Sequence, residues 1–252
     1  MKFLIQKING EIRHDFSFAL LQSIRFKNWL RRGTKEDQIR VKYISTPELL
    51  EPDDIYPPIA FKSFHSNYVP VGSVEFVTAF LQKFYGLTPK PKNVPEVLFK
   101  YAERGIYNGT EKDFPKYKKF FAKSNSGIKK FAEIVENGNI LKPDNYQFSE
   151  FINIDSEWRA FIYEGKLVGL QNYTGEFIVF PNVDAIKDMI SAFEKSGEAP
   201  VAYTLDVGVN DYHTFIIEAH DFFSCGLYGF TEYVKLPLML NKWFKEYLKK
   251  NL

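Results

Sequence analysis

The chain has 252 residues, 45% of them hydrophobic, and a formal net charge of +2. That length can bury a substantial core in one large or two small domains, and the near-neutral charge lacks the basic excess of a nucleic-acid binder. A single cysteine, Cys225, excludes an intramolecular disulfide and a cysteine metal cage, which points to a cytoplasmic setting. The apolar run in Met1 to Gly10 is too short for a signal peptide, and no stretch approaches the roughly 18 apolar residues of a spanning helix.

In chain order, Lys2 to Ile8 reads as a strand turning at Asn9-Gly10, and Asp15 caps a helix running to Leu30 with Phe18, Leu20, Leu21, Ile24 and Trp29 on a broad apolar stripe. Ile39 to Ile44 reads as a second strand, Leu49 to Pro58 as an acidic loop, and Ile59 to Phe64 as another strand. Ser73 is placed to cap a helix from Val74 to Tyr85 that stops at Gly86. Three prolines between Thr88 and Pro95 mark a boundary, which predicts an N-terminal α/β lobe over 1–90 and a second region over 91–252.

A short helix is expected over Glu96 to Gly105, a strand over Lys118 to Lys123, then a small-residue loop, Ser124-Asn-Ser-Gly127, and a helical or looped Ile128 to Val135. Tyr146 to Ile154 alternates as a strand, and Trp158 to Tyr163 with Leu167 to Tyr173 form a hairpin turning at Glu164-Gly165. Asp184 to Ser196 is a helix burying Ile186, Met189, Ile190 and Phe193, and Pro237 to Lys250 is a terminal amphipathic helix. Between them lies a hairpin in Pro200 to Asp221 whose turn is Asn210-Asp211-Tyr212, with Val209 opposite His213 and Asp206 opposite Ile216. Hairpins mixed with helices favour α+β over a doubly wound parallel sheet.

Four groups carry candidate chemistry. Lys123 ends an apolar strand before the small loop, so its ammonium and the backbone N–H groups of Ser124 to Gly127 can meet phosphate oxygens. Arg159 lies on a half-buried strand face, where it needs an anion: Glu157, Glu150 or a phosphate. In the hairpin, Thr204, Asp206, Glu218 and His220 take even positions while Leu205, Val207, Val209, Phe215 and Ile217 take odd ones, so one face is apolar and the other acidic. Two carboxylates there suit Mg²⁺, with Asp221 competing for the same role. Finally, the glycines of Ser224-Cys-Gly-Leu-Tyr-Gly229 permit close backbone approach. There is no Walker loop, Rossmann fingerprint, HExxH or GxSxG elbow.

Taken in order, Phe121-Ala-Lys-Ser124, Ser149-Glu-Phe-Ile152, Ser156-Glu-Trp-Arg-Ala-Phe161, Tyr203-Thr-Leu-Asp206, Ile217-Glu-Ala-His-Asp221 and Gly226-Leu-Tyr-Gly229 resemble the ATP-grasp superfamily. The chain looks most like its divergent clade known from phages and bacteria, related to a eukaryotic translation-factor assembly chaperone. The resemblance covers about 114–230, with Pro70-Val-Gly-Ser73 the best marker before it. It implies two α+β lobes around ATP, with Lys123 on the phosphates and the backbone of Glu150, Phe151 and Ile152 along the adenine edge. It further implies Arg159 on phosphate or an acyl phosphate, and Asp206 and Glu218 on Mg²⁺. His220 stands where the family usually has asparagine, so it is either a third ligand or none; Asp221 could take its place, or the site could be weakened or tuned to Mn²⁺.

The implied activity is ATP- and Mg²⁺-dependent joining of a carboxylate, of a protein or peptide among other substrates, to an amine or other nucleophile. Two alternatives remain open at this point: an ATP-binding assembly module without ligation, and a nucleotidyltransferase that adenylylates Lys123.

Overall fold

A computed structural model of the protein describes residues 1–31, 38–51, 68–114, 119–136, 141–211 and 213–252. Contacts divide the chain into two compact units, one formed by 1–88 with 222–252 and the other by 89–221. The proline-rich run lies at this division, and the C-terminal segment returns to the first unit.

The first unit is a three-stranded parallel sheet in the order β2-β1-β3, from Lys2–Gln6 (β1), Arg40–Ile44 (β2) and Tyr68–Val71 (β3). Helices α1 (Asp15–Leu30), α2 (Thr46–Leu50), α3 (Val74–Tyr85) and α5 (Leu236–Asn251) belong with it. Helix α3 forms as its sequence dictates: the Ser73 hydroxyl accepts the Phe76 N–H at 3.2 Å, and Gly86 ends the helix at φ 69°. Its face Phe76, Val77, Phe80 and Leu81 is fully buried, and Phe80 meets Phe244 of α5 at 6.2 Å between ring centres.

Several expectations need correction here. Asp15 is the first residue of α1 rather than its cap; its carboxylate instead accepts the backbone N–H groups of Phe16 at 2.7 Å and Leu227 at 2.8 Å. That second bond fixes the glycine-containing loop of residues 224–229 to the start of α1. The buried face of α1 is Phe16, Leu20, Leu21 and Ile24, whereas Phe18 and Trp29 are 60% exposed, because 3.6-residue periodicity carries them round the helix. Residues 46–50 are helical, with Ser45 and Glu48 forming a reciprocal cap. The strand expected over Ile59 to Phe64 lies outside the described residues.

The second unit holds two antiparallel four-stranded sheets. One has the order β4-β7-β5-β6, from Ile106–Thr110, Asn145–Glu150, Phe120–Ser124 and Ala132–Val135. The other has the order β11-β10-β8-β9, from His213–Asp221, Ala202–Asn210, Ser156–Tyr163 and Lys166–Gly175. Helix α4 (Val183–Ser196) packs Ile186, Met189, Ile190 and Phe193 into one core with Trp158, Ala160, Ile162, Tyr203, Leu205, Val207 and Val209. Two stretches expected as helix or loop are otherwise. The turn Glu96–Tyr101 is 3-10 and β4 follows it, and residues 132–135 form β6, an edge strand.

The hairpin register also differs. Asn210 pairs with His213 and Val207 with Ile216, but Asp206 pairs with Glu218, so Ile217 is the extra residue of a bulge. A bulge reverses the alternation. Before it Ile216 faces the α4 core, and after it Ala219 does, which leaves Glu218 and His220 on the opposite face with Asp206. Phe215 therefore leaves the core face and lies over Gly208, where a Cβ would stand 2.5 Å from its Cζ.

Candidate active site

Five of the predicted residues converge within the second unit. Arg159 and Asp206 are register partners on neighbouring strands β8 and β10, so their side chains rise from the same face. The guanidinium donates to both carboxylate oxygens, Nε to Oδ1 at 2.8 Å and Nη2 to Oδ2 at 2.7 Å, with side chains only 9% and 2% exposed. Asp206, which the sequence reading did not name for this role, thus supplies an anion to Arg159. Glu157 accepts the Tyr173 hydroxyl at 2.6 Å instead, and burial raises that phenol's pKa.

Lys123 comes from β5 in the other sheet and forms an ion pair with Glu218 of β11. Burial draws its pKa down to about 8, with Asp206 pulling upward and Arg104 pushing further down. His220 Nε2 lies 2.6 Å from Glu218 Oε1 and 3.9 Å from Asp206 Oδ2. Burial lowers the His220 pKa to about 4, so the ring is neutral at pH 7, with Nε2 facing the Glu218 carboxylate in a hydrogen bond whose direction is set by the ring tautomer.

Asp206, Glu218 and His220 offer ligand atoms within 4.8 Å of one another. Two carboxylates and a neutral imidazole fit a divalent cation, and the nitrogen donor suits Mn²⁺ better than Mg²⁺. Asp221 does not join them. It pairs with Tyr203, whose side chain is in the α4 core, so alternation turns Asp221 to the other face.

The small loop after Lys123 is closed on itself rather than open to a phosphate. Ser124 N–H donates to Phe131 O, Asn125 N–H to Asn145 O, and Ser126 N–H to the Ser124 hydroxyl. Both serine hydroxyls in turn donate to Asp144, at 2.8 and 2.9 Å, and Lys130 pairs with the same carboxylate.

Glu150 ends β7, and its backbone N–H donates to Gly105 O at 2.9 Å while its carboxylate accepts the Gly105 N–H. Phe151 and Ile152 follow as irregular chain, with Phe151 exposed beneath the Lys119 ammonium at 4.7 Å. Among the described residues their backbone groups pair with no other backbone group.

Two residues that sequence reasoning passed over tie the sheets together behind this cluster. Asn93, at φ 47°, accepts the N–H of Ala219 at 2.7 Å, between Glu218 and His220. Its side-chain amide donates to Asn125 Oδ1 at 2.6 Å and Ser124 O at 3.3 Å, directly after Lys123. Arg104 donates to backbone carbonyls of β11. The only signal either carried was an asparagine in a turn and a cation before Gly105.

Comparison with known proteins agrees with this architecture. The family model described as ATP-grasp domain, R2K clade family 2, matches residues 101–235. No curated protein sequence matches. Among solved structures, a D-cycloserine synthetase superposes with a TM-score of 0.59 at 10% identity, over 98% of this chain and all of that one. The D-alanine–D-alanine ligase of Bacillus anthracis gives 0.55 at 11% identity over the whole of both chains. An N5-carboxyaminoimidazole synthetase from Staphylococcus aureus, complexed with ADP, gives 0.58 at 10% over 96% of this chain and 77% of that one. At such identities the likeness speaks to the fold, which is the two-sheet ATP-grasp arrangement. With more than half its length matched by the family model, the chain belongs to the ATP-grasp superfamily, in family 2 of the R2K clade.

Proposed function

We propose that the protein is an ATP-dependent, divalent-metal-assisted ligase that activates a carboxylate as an acyl phosphate and joins it to an amine or other nucleophile. The observation that carries this reading is the meeting of Lys123 from one sheet with Arg159, Asp206, Glu218 and His220 from the other, in a chain of this family. Cations and metal-ligating anions interleave there, as phosphoryl transfer requires.

In this reading the backbone at Phe151 and Ile152 holds the adenine edge, and Lys123 and Arg159 hold the phosphates. Asp206, Glu218 and His220 would hold Mg²⁺ or Mn²⁺, which neutralises charge on the transferred phosphoryl group. A substrate carboxylate oxygen attacks the γ-phosphorus as its bond to the ADP oxygen breaks; an amine then attacks the acyl carbon and inorganic phosphate leaves. The residues contribute position and fixed charge from largely buried side chains. A protein or peptide carboxylate is the substrate class we favour; no described helix is long and apolar enough to cross a membrane.

Calorimetry with ATP and either Mg²⁺ or Mn²⁺ tests the reading: binding is expected for the wild type and lost in Lys123→Met and Glu218→Gln. Absence of wild-type binding refutes it. Metal-dependent binding without ADP formation, across candidate carboxylates and amines, would instead mark an assembly module. A second reading, adenylylation of Lys123, draws on the lowered pKa of that amine; an unshifted intact mass after incubation with ATP removes it.

A further inference from the structure

Arg104 lies between the 3-10 turn Glu96–Tyr101 and β4. Its Nη1 donates to Ala102 O at 2.9 Å and Ile216 O at 2.8 Å, and its Nη2 to Ile217 O at 3.4 Å. Among the described residues no carboxylate forms an ion pair with it, and burial draws its pKa down to about 10, which leaves it charged at neutral pH. A buried cation without an anion is costly, so its compensation must come from the carbonyl dipoles and from the Phe215 ring, 5.7 Å away.

Those carbonyls are informative. Ile216 and Ile217 are consecutive, and in a regular strand consecutive carbonyls point to opposite sides. One guanidinium reaches both because the bulge lies there, with Val207 opposite Ile216, Asp206 opposite Glu218, and Ile217 left over between them. Phe215, packed between Arg104 and the bare Cα of Gly208, completes the stack.

We propose that Arg104 is a positioning residue that holds the Ile217 bulge and so determines that Glu218 and His220 face Asp206 and Lys123. Removing the bulge shifts the pairing by one residue and turns Glu218 toward the α4 core. This inference rests on the proposed nucleotide and metal site only for its functional consequence.

The test uses the full chain with Arg104→Met, Arg104→Lys and Gly208→Ala. The last leaves the charge untouched but displaces the Phe215 ring. Hydrogen exchange without ligand reads the bulge itself: Arg104→Met speeds exchange at Ile217, Glu218 and Ala219 by about tenfold or more, and leaves the β8–β9 amides unchanged. Electron paramagnetic resonance of added Mn²⁺ reads the consequence, with affinity falling about tenfold or more. Arg104→Lys, able to reach one carbonyl but not both, falls between, and Gly208→Ala reproduces the Arg104→Met pattern. Wild-type exchange and Mn²⁺ affinity in folded Arg104→Met overturn the inference; if that variant does not fold, the same result in Gly208→Ala does so. A wild type that binds neither Mn²⁺ nor ATP refutes the functional reading, while the exchange pattern still decides the clamp.

Discussion

Replacing Asp206 by asparagine preserves its shape and one acceptor but removes its charge. Arg159 is then left with 9% side-chain exposure and one of its two short hydrogen bonds, of 2.7 and 2.8 Å, weakened or lost. Breaking a buried pair from one side costs about 3–5 kcal/mol, and the retained amide oxygen puts Asp206→Asn near the lower end, about 3 kcal/mol. At a urea slope of about 2 kcal/mol/M, the midpoint of the second unit moves down by about 1.5 M. Trp158 is buried in that unit, whereas Trp29 and Trp243 lie in the other, so 5-fluorotryptophan labelling gives a separate ¹⁹F signal for the relevant transition. Adding Arg159→Met removes the cation that the Asp206 charge compensates, and the double variant recovers part of the loss, with a coupling energy of about 2 kcal/mol. A fall of less than about 1 kcal/mol in Asp206→Asn would refute the claim that this pair is desolvated.

His220, with its pKa lowered by burial to about 4 against about 6.5 in the unfolded chain, takes no proton at pH 6 in the folded state while the unfolded chain does. Stability therefore falls as pH drops from about 6.5 toward 4 and is unaffected by this group above 6.5; His220→Gln flattens that slope, and a ring NMR titration at or above 6.5 contradicts it. Asn93→Ala removes a buried amide and forces a left-handed alanine, costing about 2 kcal/mol on the Trp158 signal. Ser73→Ala loses the α3 cap for about 1 kcal/mol in unfolding of the first unit. Gly86→Ala, at φ 69°, costs about as much.

What was legible follows from local physics. Helices α3 and α4 carry cap, stop signal and apolar face in one short stretch, and the β8–β9 hairpin is marked by its Glu164-Gly165 turn, both residues at positive φ. The strands that escaped notice lack such marks. β3 carries Pro70, β4 reads Ile-Tyr-Asn-Gly-Thr, and β6 is a largely exposed edge. Alternation was enough to put Arg159 on a partly buried strand face in need of an anion, but it could not supply Asp206 as the partner, which depends on the register of two strands far apart in sequence. It also could not foresee the bulge, because the cation that contacts it is 112 residues away. Phe215 was assigned to the wrong face for that same reason.

The cluster contains two internal ion pairs, Lys123 with Glu218 and Arg159 with Asp206, and this constrains how any ligand can enter. On the proposed reading, a divalent cation arriving alone would draw the carboxylates away from Lys123 and Arg159, and a polyphosphate arriving alone would draw those cations away from the carboxylates. Arriving together, the two would exchange partners with the site, carboxylates passing to the metal and Lys123 and Arg159 to the phosphates, at less cost in unpaired charge. Each ligand would therefore bind more tightly in the presence of the other, a coupling written in side-chain charge.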